Sequence, residues 1–386
     1  MFLLRGLLAL VAGFTVVPFA FSAPPSAVDE LKAVVVLFRH GDRSPLSSWP
    51  NDIYYGNSTL WPDGYGQLNN LGKERHYRLG QWFRERYDGF LPKRYNHNDI
   101  YIQSTDVDRT LMSAASNLAG LYPPLDDQVW NSAVNWQAIP IHTTPEELDV
   151  ILATEFPCPK HDRLLEELYN STQFQNWNEE LASVFEELSP LTGYEDLSVH
   201  SFSGLFSTIT IYRGFNWTLP EWTDTYWPLI KFWATRKFQW PTYTPDLARL
   251  RSGPFFDYLL SYFKSVKGNV SLPPRHVKGP RHQDLLLPNS NAPKFLMLSA
   301  HDTTLSDRTN ALGVYPDAVP EFSSTVIWEV RNGTQGFYVN MFFKNSTGFS
   351  NLTLPGCEFN CLIDDYVKLV EPICIGVDQW KEECNN

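Results

Sequence analysis

Apart from Lys32, the stretch from Leu31 to Phe38 is an unbroken apolar run rich in valine. It opens without a linker onto Arg39-His40-Gly41-Asp42-Arg43-Ser44-Pro45. A strand that is apolar on both faces must be covered on both, which predicts the interior of a parallel or mixed sheet. In open α/β sheets, ligands bind beyond the carboxyl ends of the strands. This order, strand and then charge, constrains the chain more than any bulk property. It puts two arginines, a histidine and an aspartate where such a sheet holds what it binds.

The same order recurs twice. Ile100 to Ser104 reads as a short strand, and Ser104-Thr105-Asp106-Val107-Asp108-Arg109-Thr110 runs on from its end. Phe295 to Leu298 reads as another and is followed by Ser299-Ala300-His301-Asp302-Thr303-Thr304. Helical patterns run from Leu68 to Tyr87 and through Leu111, Met112, Ala115 and Leu118. Two late strands, Ser324 to Val330 and Gly336 to Phe343, flank a stretch whose Asn332-Gly333 signals a hairpin turn. From about 145 to 265 the chain carries aromatic-rich helical patterns and no convincing strand. The expected architecture is an α/β mixed sheet flanked by helices, split by a smaller, mostly helical insertion. The α/β parts cover 28–135 and 266–386, and the insertion covers 136–265. A length of 386 residues accommodates this, and 25 Phe, 18 Tyr and 13 Trp supply the core.

Together the three segments bring Arg39, Arg43, Arg109, His40, His301 and an acid toward one sheet edge. Three guanidiniums at one point destabilise each other unless an anion sits among them, and the planar fork suits phosphate. Any one segment would serve equally well as a solvated loop; three at strand ends in one chain do not read that way. The formal charge of −12 excludes a general nucleic-acid binder. A second His-Asp pair, His161-Asp162, has no strand before it and reads as a helix start.

The two ends speak to location. Arg5, the apolar stretch Leu7 to Val17 and the small residues Ala20, Ser22 and Ala23 have the form of a secretory signal over about 1–23, cleaved between Ala20 and Ala27. No later run is long enough to span a bilayer and the tail is polar, so a released protein without a membrane anchor is expected, extracellular or lysosomal. Seven sequons, at Asn57, Asn170, Asn216, Asn269, Asn332, Asn345 and Asn351, suit that route as glycosylation sites. In an oxidising compartment the five cysteines should mostly pair. Cys357 and Cys361 suit a local clip, and terminal Cys384 is the natural one to be left over. Zinc is a poor reading, because no histidine lies near at ligand spacing.

The heptapeptide 39–45, the second arginine segment 104–110, the later His301-Asp302 and the Gly64-Tyr65-Gly66-Gln67-Leu68 turn resemble the signatures of the histidine acid phosphatases. The resemblance is to the prostatic and lysosomal type and to insect venom acid phosphatases, in order along the whole mature chain. It implies hydrolysis of small phosphomonoesters without metal or cofactor. His40 would be the nucleophile, forming a phosphohistidine. Arg39, Arg43, Arg109 and His301 would hold the phosphoryl oxygens. Asp302 would be the general acid, with its pKa raised beside the phosphoryl group. The resemblance also implies Cys158–Cys374 and Cys357–Cys361 disulfides, where the family usually has three. It departs from the family at Ser252, where glycine is frequent. Trp136 to His142 resembles a dimer-contact segment, so a homodimer and a buried aromatic loop are both open. A narrower, phytase-like phosphatase and a secreted non-catalytic ligand-binding relative are the alternatives; the second would be favoured by loss of His40 or Asp302, and both residues are present.

Overall fold

A computed structural model describes residues 29–268 and 292–386; the signal segment and Asn269 lie outside them. Among the described residues the strands are β1 (Glu30–Arg39), β2 (Ile100–Thr105), β3 (His142–Thr144), β4 (Phe295–Ala300), β5 (Thr325–Gly333), β6 (Gly336–Lys344), β7 (Phe349–Leu352) and β8 (Cys361–Leu362). They form one mixed sheet in the order β3-β2-β4-β1-β5-β6-β7, with β8 pairing β6. From the β3 edge inward, β3, β2, β4 and β1 are parallel, and β5 turns the sheet antiparallel.

Register explains the apolar run of β1. Ala33, Val35 and Leu37 face one core with Leu296, Leu298 and Trp328. Val34, Val36 and Phe38 face the other with Met297, Ile102 and Phe83. Alternate residues of a strand point to opposite faces, and here both faces are covered.

The helices are α1 (Asn70–Arg86), α2 (Asp108–Leu121), α3 (Pro159–Tyr169), α4 (Thr172–Glu180), α5 (Ala182–Thr192), α6 (Ser201–Gly214), α7 (Trp222–Thr225), α8 (Trp227–Lys237), α9 (Pro245–Val266), α10 (Asp302–Ala311), α11 (Ile363–Val370) and α12 (Val377–Asn385). α1 and α2 cover one face of the sheet through Leu79, Phe83, Ala114 and Leu118. α9 covers the other through Phe255, Leu259 and Tyr262. The helices from α4 to α8 gather around a separate aromatic core built on Phe174, Phe202, Tyr212, Trp222, Trp233 and Trp240.

Two details differ from the sequence reading. The hairpin is present, but Gly333 pairs with Gly336, so its tight turn is Thr334–Gln335 rather than Asn332-Gly333. Trp136 is exposed, not buried, and its carbonyl accepts a hydrogen bond from Trp130 Nε1 at 2.7 Å. Ser252 uses the hydroxyl that a glycine would lack, donating to the Asp307 carbonyl at 3.1 Å and accepting from Arg308. Asn57, Asn170, Asn216 and Asn351 are exposed, whereas Asn332 and Asn345 are half-buried.

The cysteine pairing is the main correction. Cys158 bonds Cys384, with Cα atoms 4.8 Å apart, and Cys374 is the free thiol; Cys357–Cys361 is the expected clip. The reason lies in α12. Trp380 stacks edge-on against Phe156 at 5.0 Å and donates from Nε1 to the Leu250 carbonyl at 2.8 Å. Glu383 pairs with Arg249 at 3.0 Å. These contacts fold α12 back over the start of α3 and carry Cys384 to Cys158. Cys374 packs toward the sheet core instead, and burial pushes its thiol up to about 12. The long-range bond closes a separation of 226 residues, against 4 for the clip. On the chain-entropy account, Cys384→Ser should cost about 2–5 kcal/mol and Cys361→Ser less. Urea midpoints of the two variants beside Cys374→Ser test this; a larger loss for Cys361→Ser or Cys374→Ser than for Cys384→Ser would contradict the pairing.

Candidate active site

The parallel strands β1, β2 and β4 end side by side. In register, Phe38 stands opposite Ser299 and Arg39 opposite Ala300, while Ser104 also stands opposite Ser299. The three charged segments therefore leave the sheet at one edge, and α2 and α10 begin there. Their unpaired N-terminal amides favour negative charge at the same place.

Backbone bonds hold the first segment. His40 N–H donates to the Ala300 carbonyl at 2.9 Å, and Arg39 N–H to Ser324 at 2.9 Å. From α1, His76 Nε2 donates to the Arg39 carbonyl at 3.1 Å. Gly41 N–H donates to Ser113 Oγ on α2 at 3.0 Å. Gly41 is required here: a Cβ on it would lie 2.5 Å from the Gly72 carbonyl oxygen in the first turn of α1, where the two backbones cross.

His40 is buried, with Nδ1 2.8 Å from the Gly41 carbonyl oxygen. A carbonyl only accepts, so Nδ1 carries the proton and Nε2 keeps its lone pair. Burial above all holds the ring well below the usual histidine range, followed by the charges of Arg39, Arg109 and Arg43 and by His301. His40 thus remains a neutral base in acid. Its ring meets His301 edge-on at 5.6 Å and Phe322 at 5.9 Å.

Arg39 is braced from three directions. Nη2 pairs with Asp302 Oδ2 at 2.7 Å, Nη1 donates to the Pro320 carbonyl at 2.6 Å, and the guanidinium lies 4.1 Å over Phe322. Arg43 donates to its neighbour's carbonyl, Ser44 O, at 2.9 Å and reaches Ser207 on α6 at 3.4 Å, which ties the helical core to the site. Burial lowers Arg43 to about 9, so it stays cationic in acid. Arg109 reaches His301 Nδ1 at 3.4 Å. Burial and the surrounding arginines bring His301 down to about 3.

All six predicted residues converge. The decoy does not: His161 is buried in α3 with Nε2 on the Pro241 carbonyl at 2.9 Å, and Asp162 faces solvent. Asp42 belongs to a separate pair with Arg75 at 2.6 Å. Three guanidiniums thus gather around His40, and of the carboxylates that act on them Asp302 is the one in direct contact, paired with Arg39 at 2.7 Å.

The Asp302 carboxyl stands under opposing influences from the protein itself. Burial would raise the Asp302 carboxyl, yet Arg39, Arg43 and His301 together hold it below the usual range. Burial is the largest single influence, and only the sum of Arg39, Arg43, His301 and the Thr303 amide overcomes it.

The sequence reading missed the stretch just before β5. Pro320 and Phe322 brace Arg39, and Ser323 N–H donates to the His40 carbonyl at 3.2 Å. No local pattern marks these residues; they arrive through the crossover into an antiparallel strand. Ser113 could have been found, since it lies four residues after Arg109 and so on the same helix face. Beside Arg43 a narrow cleft is lined by Leu71, Ile211, Phe215 and Phe322. Glu146, just past β3, and Glu155, in the loop before α3, act on Arg109, and Asp106, just past β2, lies near Glu146. Among the described residues, no group of three or more His, Cys, Asp or Glu side chains is placed to hold a metal ion, and no helix is long and apolar enough to cross a membrane.

Comparison with known proteins adds relatives to this geometry. The family model for the histidine phosphatase superfamily (branch 2) matches residues 30–211. The chain is 36% identical over 389 residues to lysosomal acid phosphatase of Xenopus laevis, covering 98% of this chain and 83% of that one. It is also 36% identical over 369 residues to bovine prostatic acid phosphatase, covering 92% and 88%. Among solved structures, the apo phytase of Hafnia alvei superposes with a TM-score of 0.65 at 18% identity, over 94% of this chain and 99% of that one. At that identity the likeness concerns the fold.

Proposed function

The chain belongs to branch 2 of the histidine phosphatase superfamily, with the prostatic and lysosomal acid phosphatases, and from that premise we propose that it hydrolyses phosphomonoesters through a phosphohistidine at His40, without a metal ion. The observation that carries this reading is the Nδ1 hydrogen bond to Gly41, which leaves His40 Nε2 unprotonated among three arginines.

The ester's phosphoryl oxygens bind Arg39, Arg43 and Arg109, which take the place a metal ion has in other phosphatases. Nε2 attacks phosphorus as the P–O ester bond breaks, and Asp302 delivers a proton to the leaving oxygen. Water then attacks the phosphohistidine, giving its proton to Asp302, and inorganic phosphate leaves with His40 restored. Asp302 must be protonated for the first step. The bound dianion supplies the reason: it draws Arg39 away and repels the carboxylate's charge, reversing the direction seen without ligand.

The second reading, a phytase-like enzyme, is disfavoured by the rim. Glu146 and Glu155 act on Arg109, with Asp106 near Glu146, and a polyphosphate would meet these carboxylates with its unreacted phosphates. The signal segment and the sequons support passage to the cell exterior or the lysosome. Exposed Trp130 and Trp136 offer a surface for the homodimer that the resemblance implies.

The sign of the pH dependence follows from the two groups. A lowered His40 keeps the nucleophile neutral below the usual histidine range, so the acid limb moves down. Activity falls on the alkaline side when Asp302 in the complex loses its proton. Hydrolysis of p-nitrophenyl phosphate from pH 3 to 9, with and without EDTA, should therefore peak in acid and be insensitive to the chelator. Full activity at pH 9 with none at pH 5, or loss with EDTA, would overturn the reading.

A further inference from the structure

His301 touches a buried hydroxyl chain that the mechanism above does not use. Thr105, at the end of β2, and Thr110, in the first turn of α2, are wholly buried. Thr105 Oγ1 is 3.0 Å from His301 Nε2 and 2.9 Å from Thr110 Oγ1. Thr110 Oγ1 is in turn 2.7 Å from the Val107 carbonyl oxygen and 3.0 Å from that of Thr105.

Counting hydrogens fixes the direction of the chain. Carbonyls only accept, so the Thr110 hydroxyl spends its hydrogen on Val107 or Thr105 O. Thr105 must then donate to Thr110, and its oxygen is left to accept from His301 Nε2–H. The other end agrees: a guanidinium only donates, so Arg109 on Nδ1 requires the lone pair there. His301 is thereby held as the neutral Nε2–H form. An oxyanion arriving at Arg109 needs a donor from the ring, yet Nδ1 has no hydrogen to give. Shifting the proton from Nε2 to Nδ1 would turn the chain against itself, leaving Nε2 without a donor. Taking a second proton from solvent onto Nδ1 keeps the hydroxyl chain intact and gives up only the Arg109 contact, whose guanidinium turns to the oxyanion.

We propose that Thr105 and Thr110 are positioning residues whose one-way hydroxyl chain couples oxyanion binding to the uptake of one proton by His301. The inference rests on the proposed function and on the role that the resemblance implies for His301, holding a phosphoryl oxygen beside Arg109. The groups facing the ring are Arg39 and Arg43 from β1 and its loop, Arg109 from α2, Asp302 from α10, and the His40 ring edge. Burial first, and then the three arginines, keep the ring neutral in the free enzyme. A dianion offsets the arginines on binding, and the proton becomes favourable only then. The consequence is a substrate site that tightens as pH falls, by a route separate from the general acid.

Sulfate is the probe, because its charge is constant across the mildly acidic and neutral range. The ring ¹⁵N signals of His301, identified by their loss in His301→Asn, should show a neutral Nε2–H ring in the free enzyme and a doubly protonated ring with sulfate bound. Sulfate affinity measured against pH gives a second readout. Thr105→Val leaves Nε2 facing a methyl group, where a lone pair is tolerated better than an unpaired N–H, so the ring can bind as the neutral Nδ1–H form. Wild type should then lose affinity about tenfold more per pH unit than Thr105→Val, with Thr105→Ser restoring the steep slope. Protonation of His40 or Asp302 contributes to both proteins alike and cancels in the comparison. A neutral Nδ1–H ring in sulfate-bound wild type, or equal slopes, overturns the proposal. Should Thr105→Val not fold, the ring signals of the wild type decide alone. Absence of sulfate binding to any folded form at any pH would instead overturn the oxyanion assignment beneath it.

Discussion

His40→Ala is expected to abolish phosphoenzyme formation with every ester and to lower turnover by on the order of 10⁴- to 10⁶-fold. The atom that would become phosphorylated is gone, and no other nucleophile stands in its place. His301, whose ring lies 5.6 Å away edge-on, has Nε2 engaged by Thr105 and Nδ1 by Arg109. The arginines are unaffected in their anchors: Arg39 keeps Asp302 and Pro320, and Arg43 keeps Ser44. Binding of inorganic phosphate should therefore persist in the variant, which separates loss of the nucleophile from loss of the fold. The measurement is a rapid quench into alkali, where a phosphoramidate bond survives, with radiolabelled ester. A phosphoenzyme trapped in His40→Ala would remove His40 from its role.

Asp302→Asn should produce a loss that depends on the leaving group. Asparagine keeps the shape of the side chain at the start of α10 and can still meet the Arg39 region, but it has no proton to deliver. An alkyl phosphate expels a poor alkoxide and should slow by about 10²–10⁴-fold in phosphoenzyme formation. p-Nitrophenyl phosphate expels a stable anion and should slow much less in that step. The residue's setting sharpens the test, since Asp302 is ion-paired at 2.7 Å and held below the usual carboxylate range without ligand. Were its only task to hold Arg39, both esters would suffer equally, because both need that arginine. Single-turnover rates for the pair of esters distinguish the two outcomes.

What was legible in the sequence was local. The apolar run at 31–38, the short strand after residue 100 and the one beginning at Phe295 each announce themselves by composition. The structure puts them at Glu30–Arg39, Ile100–Thr105 and Phe295–Ala300. Because each is followed directly by charge, the position of the candidate site at one sheet edge could be read without coordinates. The Cys357–Cys361 clip was equally local. The short edge strands β3, β7 and β8, of 3, 4 and 2 residues, carried no such signal, since so few residues show no periodicity.

The choices that only the tertiary structure made all concern partners distant in the chain. Cys158 had two candidate partners near the C-terminus. Which one it bonds depends on where Trp380 finds its pocket against Phe156 and Leu250, a packing outcome with no local signature. Pro320 and Phe322 reach Arg39 across 281 and 283 residues because β5 runs antiparallel beside β1. The ionisation of Asp302 turned on the competition between burial, which raises it, and a guanidinium 2.7 Å away, which lowers it. Thr105 was visible as a residue of the second charged segment, but its role follows from the direction of three hydrogen bonds. Side-chain periodicity along a strand determines which faces must be covered and where the chain leaves the sheet. Distances between groups brought together from separate strands, and the desolvation they share, exist only once the sheet has closed around them.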